Sequence, residues 1–379
     1  MLIIRDCNLI SMAGIYEEKK DIVIQDGKIT DILDSAALAQ YPGAEIIDAR
    51  GLIVTPGLVE PHCQLGVVEQ VFRFEGNDGD EIGGPILPQL RALDAINPED
   101  EGFEMAIRGG ITTAVTGPGN SNLIGGTCAA VKMKGRTVDD IVLKEEAAFQ
   151  FVLGGAPKAA YGSKSVKTRM GEAALIRETL LKAQEYRRLV KAGKNPKFDM
   201  KNASLMRVFD GMLVKFNAHQ AYDIMTAVRI AEEFGLNYTI DKASEAYLIT
   251  DQLKAHHVRI IAGPSYGSKG NHEVRKRDSI IGARLEQAGI PFAVSTGHPE
   301  MNAEFAMVQL AMMYKKGLSR KRALEAVTID AARLCGIEDR VGSIDIGKDA
   351  DIVIWDGEPL DYYTSPKTVL IDGRIVLQN

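Results

Sequence analysis

Residues 53–66 read IVTPGLVEPHCQLG, and the fold of the chain turns on this stretch. It opens apolar, breaks at Pro56-Gly57, runs apolar again through Leu58 and Val59, and ends in polar residues. A short apolar run between turn signals predicts a buried strand. The polar residues Glu60, His62 and Gln64 then emerge at its C-terminal end, which in a parallel barrel is the face that carries chemistry. Cys63 alternates away from His62 and Gln64 toward the surrounding helices, as a buried structural cysteine rather than a nucleophile.

Outward from there, both ends of the chain read as strands. DIVIQ at 21–25 is followed by Asp26-Gly27 and a second alternating run at 28–32, which is the pattern of a tight hairpin. DIVIW at 351–355 precedes Asp356-Gly357, and residues 368–371 precede Asp372-Gly373 and 374–377. Between these ends, strand patterns at 111–115, 213–216, 237–240, 258–262 and 292–295 alternate with helical ones at 222–234 and 279–287. Such alternation predicts a parallel barrel or a doubly wound sheet. The glycine-rich TGPGNSNLIGG at 116–126 is neither a P-loop nor a dinucleotide fingerprint, and reads as a tight strand-to-helix turn lining the pocket. The basic stretch 158–169 reads as a loop.

The composition excludes several classes of function. A formal charge of −6 over 379 residues offers no field for nucleic acid or anionic lipid. The N-terminal MLIIRDCNLI is interrupted by Arg5 and Asp6, unlike a signal peptide. No apolar run has the length of a membrane span. Four scattered cysteines without a Cys-x-x-Cys pair fit a reduced, cytoplasmic compartment. The methionine-rich helical stretch 306–313 is a core element or a contact surface for a homo-oligomer.

The residues at 56–62, with TIDAARLCG at 328–336 and GKDAD at 347–351, resemble the metal-dependent amidohydrolase superfamily. Gly117-Pro118-Gly119, Ile124-Gly125-Gly126 and Arg169-Met170-Gly171 resemble its imidazolonepropionase-related subgroup. The resemblance implies a TIM-like (β/α)8 barrel at 56–340 and a small β-sandwich built from residues 1–55 and 341–379. It also implies hydrolysis of C–N bonds in cyclic amides or peptide-like small molecules at a divalent ion, usually zinc.

Four of the metal positions that the resemblance implies are altered. His62 is present, but Gln64 stands for the second histidine of strand one, and His-Ala-His on the fifth strand reads Asn217-Ala218-His219. Lys242 takes the place of the sixth-strand histidine, and Gly297 that of the eighth-strand aspartate, next to His298. The ammonium of Lys242 repels a divalent ion. The expected cofactor is therefore none, or one weakly bound zinc or manganese on His62 and His219. Lys242 and His298 are the candidate catalytic residues, and Gln64, Asn217 and Arg169 the candidate substrate-binding ones. Lys242 either supplies the positive charge of the missing ion or simply pairs with Asp241 or Glu245. Three readings follow: a weakened metal hydrolase, a metal-independent enzyme, and a non-catalytic relative that binds a small molecule.

Overall fold

The structure, a computed structural model, describes residues 1–34, 41–71 and 74–379. Strands β1 (Leu2–Ile10), β2 (Tyr16–Gln25), β3 (Lys28–Asp34), β4 (Glu45–Asp48) and β5 (Ile53–Pro56) begin one sheet. Asp26 and Gly27 join β2 to β3 with φ of 50° and 79°, the primed-turn conformation that matches strand twist.

The chain then changes sheets within two residues. Gly57 donates its N–H to Asp351 O (2.8 Å), and Leu58 donates to Gly110 O (3.0 Å). A Cβ at Gly57 would lie 2.1 Å from Thr112 Oγ1, so only glycine lets β5 pass so close to the barrel. The stretch that reads as a single buried strand thus serves both sheets.

The second sheet holds eight strands: β6 (Leu58–Cys63), β7 (Ile111–Thr116), β8 (Ile124–Lys132), β9 (Val142–Val152), β10 (Leu213–Ala218), β11 (Tyr238–Lys242), β12 (Ile260–Ala262) and β13 (Phe292–Val294). β6 pairs parallel with β7, and β9 through β13 are parallel to one another. β8 runs antiparallel to both β7 and β9. The turn expected after β7 is therefore a strand-to-strand connection. Residues 117–123 are too few to carry a helix back across the barrel, whereas an antiparallel partner needs only a short link. The basic stretch is also partly helical: Gly155–Tyr161 and Arg169–Lys191 are helices that take in its two ends.

Side chains close the seam between β13 and β6. Ser295 Oγ donates to His62 O (2.6 Å), and Thr296 donates from N and Oγ1 to Glu60 Oε2 (2.8 and 2.7 Å). Burial raises the pKa of Glu60, and these hydroxyls and amides oppose the rise. Inside the barrel, Val59, Val115, Ile261 and Ala293 form one apolar cluster with Ala331, Ala332 and Cys335 of the helix Ile329–Cys335. That cluster fills the end opposite the strand C-termini.

The chain returns to the first sheet through β14 (Ile352–Trp355), β15 (Pro366–Ile371) and β16 (Arg374–Gln378), with β14 antiparallel to β5. Both termini thus build the small β-domain around a core that includes Leu9, Ile22, Val54, Ile352 and Leu370. At its junction with the barrel, Lys132 Nζ meets Asp351 (2.7 Å), Asp349 (3.0 Å) and Asp372 (3.2 Å). Lys28 and Arg340 add 2.5 and 2.9 Å contacts to Asp349. No helix among the described residues is long and apolar enough to cross a membrane.

Candidate functional site

The C-terminal ends of β6, β10, β11 and β13 bring together His62, Asn217, His219, Asp241 and Lys242, with the loop that starts at Ser295. Asp241 is fully buried, and its Oδ2 lies 2.8 Å from both His62 Nδ1 and Lys215 Nζ. Lys215 also donates to Pro61 O (3.0 Å) and is wholly inaccessible. Burial works against the Lys215 charge, but Asp241 lifts its pKa above the usual lysine value. Burial likewise opposes the Asp241 carboxylate, yet Lys215 and His62 hold it down at about 2. Burial also presses His62 down to about 4, so its ring is neutral near pH 7.

Lys242 sits one residue further along β11. Strand alternation would send it to the opposite face from Asp241. Instead the backbone turns left-handed, with φ of 67° at Lys242 and 49° at Ala243. That geometry costs a non-glycine residue about 1–2 kcal/mol and swings the Lys242 ammonium over the barrel mouth. Its partner is Glu300, at 3.1 Å, and not the neighbouring Asp241 or Glu245. Arg277 grips the other carboxylate oxygen of Glu300. Lys242 is 4% and Arg277 5% exposed, and Arg277 Nε is buried without a partner. Burial opposes the Glu300 charge, but Lys242 and Arg277 hold its pKa below the ordinary value.

The space beside Gly297 decides how this mouth can be used. Gly297 has φ of 60°, and a Cβ built there would lie 2.2 Å from Lys242 Nζ. In this arrangement the ammonium at 242 occupies the place that a side chain at 297 would take, and such a side chain would have to displace the end of Lys242.

The other candidate residues are distributed around this centre. His219 Nδ1 lies 2.8 Å from Ser244 Oγ, and burial together with Lys242 lowers its pKa to about 3. Asn217 Nδ2 donates to Asn120 Oδ1, tying β10 to the glycine-rich connection. Gln64 is half-buried, with its amide against Gly79. Both ring nitrogens of His298 have protein partners. Its Nδ1 accepts from Ala303 N–H (3.3 Å), its Nε2 faces the Gln70 amide at 2.9 Å, and burial alone holds its pKa at about 4. The ring is engaged with the segment around Gln70 rather than with Lys242. Arg169 is likewise engaged elsewhere: Nε donates to Asp223 Oδ1 (2.7 Å), Nη2 to Gln220 Oε1 (3.0 Å), and the guanidinium covers Tyr222 at 4.9 Å. These contacts tie together the starts of two helices, Arg169–Lys191 and Ala221–Phe234. The Cys63 thiol is buried and its pKa pushed up, as a structural cysteine requires.

Three charged partners escape the sequence reading: Lys215, Arg277 and Glu300. Lys215 had a usable signal, a charge at the same strand parity as Asn217 within the apolar LVKFNA. Arg277 and Glu300 lie in loops without a pattern. A cavity of about 510 Å³ lined by Lys144, Glu146, Arg207, Asp210 and Arg259 lies at the N-terminal ends of the strands, away from this chemistry.

As they are paired here, these donors are not arranged around a divalent ion. Asp241 already bridges His62 and Lys215, Lys242 places a cation at the mouth, and Gly297 has no donor. No cluster of three or more His, Cys, Asp or Glu residues suited to a metal occurs among the described residues.

A barrel with polar strand ends at its C-terminal mouth and a β-domain from both termini defines the amidohydrolase architecture. The Amidohydrolase family profile matches residues 212–376. The solved structure of an amidohydrolase from Thermotoga maritima MSB8 covers the whole chain, and the whole of its own, at 32% identity and a TM-score of 0.95. The chain belongs to the amidohydrolase family. The imidazolonepropionase of Polaromonas sp. (strain JS666) is 27% identical over 94% of this chain and 88% of its own. Amidohydrolase tasK of Hapsidospora irregularis is 26% identical over 93% of this chain, which spans 39% of that longer protein.

Proposed function

We propose that this chain hydrolyses a C–N bond in a cyclic amide or peptide-like small molecule, with Lys242 in place of the divalent ion. One observation carries the reading: Lys242 Nζ fills the space that a side chain at position 297 would need. The cation that elsewhere in the family is a metal is here part of the chain. A fixed ammonium in a buried site stabilises an oxyanion developing on a substrate carbonyl. Neutral His219, beside Lys242, is the group positioned to take and return a proton. Family membership supports the reaction class, and the imidazolonepropionase relative supports a small cyclic substrate.

The test joins metal analysis to activity. Protein purified without chelators, and again after incubation with zinc or manganese, is assayed for metal and for hydrolysis of cyclic amides and dipeptides. The expected result is substoichiometric metal, with hydrolysis that survives chelators and is lost in Lys242→Met. Stoichiometric metal, or hydrolysis abolished by a chelator, overturns the reading.

A second reading, binding without turnover, is favoured by the imidazoles themselves. With His62 at about 4 and His219 at about 3, neither has the pKa near 7 that suits a general base. Calorimetric binding of a cyclic amide with no product would select this reading.

A further inference from the structure

We infer that the mouth of the barrel recognises a ligand carboxylate between Lys242 and Arg277, and that Glu300 occupies that place in the free protein. The inference rests on the reading of the Lys242 mouth as the small-molecule site, and adds the chemical class of its ligand.

Lys242 and Arg277 are both buried cations, and they converge on the two oxygens of one carboxylate, Glu300. The remaining acids close by in sequence are engaged elsewhere. Asp241 is held by Lys215 and His62. Glu245 accepts from Ala221 N–H (3.0 Å) and faces Lys276 at 3.7 Å. His219 is kept neutral, by burial first and then by Lys242. The cluster therefore carries two positive charges against one negative. A buried charge without a counterion is strongly unfavourable, so whenever Glu300 leaves, the two cations hold a standing preference for another anion in its place.

Geometry points the same way. Arg277 Nε is buried and has no acceptor, although its Nη1 donates to Ser268 O (3.4 Å) and its Nη2 to Glu300. An arginine with an idle Nε has the edge that a carboxylate takes in a two-point contact. Glu300 is the exposed member of the three, with 34% of its side chain accessible against 4% for Lys242 and 3% for Arg277. It lies in a loop behind Pro299, whereas Lys242 is anchored by β11. The carboxylate can leave toward solvent while the two cations stay. A ligand carboxylate then enters the place that Glu300 vacates, and the amide of the same molecule lies against Lys242 and His219. The ligand class is a small amide that carries its own carboxylate.

Acetate and acetamide, which share shape and differ in charge, are the probes. Binding to the wild type and to Glu300→Gln is measured by calorimetry and thermal shift at constant ionic strength. An open minor state amounts to about 10% or less of the protein, so removing the competing charge is expected to tighten acetate binding by about tenfold or more. Acetamide binding stays unchanged, and Glu300→Gln/Arg277→Gln loses the gain. Acetate binding no tighter in Glu300→Gln than in the wild type, or a gain that survives Arg277→Gln, overturns the inference. Glu300→Asp, which withdraws the charge without removing it, gives the same comparison if Glu300→Gln does not fold. Hydrolysis is scored separately: a gain in acetate affinity without turnover keeps the carboxylate site and removes the hydrolase reading. Turnover without that gain does the reverse.

Discussion

Two buried lysines of this chain sit among carboxylates, and they do opposite things. At the junction of barrel and β-domain, Lys132, Lys28 and Arg340 face Asp349, Asp351 and Asp372. Three cations meet three anions, and Asp349 and Asp351 are inaccessible or nearly so. At the barrel mouth, Lys242 and Arg277 face Glu300 alone, and that carboxylate is the accessible partner. A charge-balanced cluster with Lys132, Asp349 and Asp351 buried at its centre holds two sheets together and has no charge left over for a ligand. An unbalanced one is what the proposed carboxylate site requires. Counting charges separates the lysine of the junction from the one proposed to act on a ligand, where burial alone does not.

The largest expected effect lies at the junction. Lys132→Met leaves Asp351 buried without its cation, while Lys28 and Arg340 still hold Asp349. Breaking such a cluster from one side costs about 3–5 kcal/mol, and the urea midpoint should fall accordingly. An unchanged midpoint would mean that the aspartates are hydrated and that the contrast between the two regions is false.

At the mouth the order of effects should reverse. Lys242→Met leaves Arg277 on Glu300 and relieves a left-handed lysine of nothing but its charge, so stability should change by less than about 1 kcal/mol. Turnover, however, should drop by roughly 100-fold, the loss seen when one oxyanion donor is removed. A large loss of stability with activity retained would make Lys242 structural, like Lys132.

Acid titration sharpens the comparison further. His62, His219 and His298 have folded pKa values of about 4, 3 and 4, below the 6.5 of a free imidazole. The unfolded chain therefore binds more protons between pH 6.5 and 4, and the contribution of these rings to stability is full above pH 6.5 and is lost as pH falls through that window. Asp241, depressed to about 2, adds a second loss below about pH 4. Proton NMR should find none of the three ring signals shifting between pH 8 and pH 5. Movement of any of them in that range would show a site wetter than its geometry. Glu172 has the opposite sign: raised by burial to about 7, it contributes below pH 4.5, and that contribution fades as pH rises through 7. Its substitution by Gln should flatten that upper limb alone.

The smallest effect is at Gly297. Ala there meets a left-handed φ, worth about 1–2 kcal/mol, and also the Lys242 ammonium. In a Lys242→Ala background the collision is gone and only the backbone cost should remain. Equal costs in both backgrounds would show that Lys242 can move aside freely.

Much of this was legible in residues 53–66 and the two ends of the chain. Hairpin turns such as Asp26-Gly27 are local, because the backbone conformation they need is set by the residues themselves. The strand that delivers His62 is equally local, and the replacements Gln64, Lys242 and Gly297 were legible through the family resemblance, which implies a ligand at each of those positions. The antiparallel β8 was not legible, because a glycine-rich link looks alike whether it leads to a helix or to a strand.

The sequence alone thus determined the α/β alternation and the strand-forming ends, and the family resemblance it carries implied the barrel and located His62, Asn217, His219 and Lys242 at its mouth. Partners were a different matter. That Asp241 goes to His62 and Lys215, that Lys242 goes to Glu300, and that His298 meets Gln70 and Arg169 meets Asp223 depends on residues up to 228 positions apart in the chain meeting in the fold. Only the closed tertiary structure decides those pairings, because the energy of a buried charge is set by every group that surrounds it and not by its neighbours in sequence.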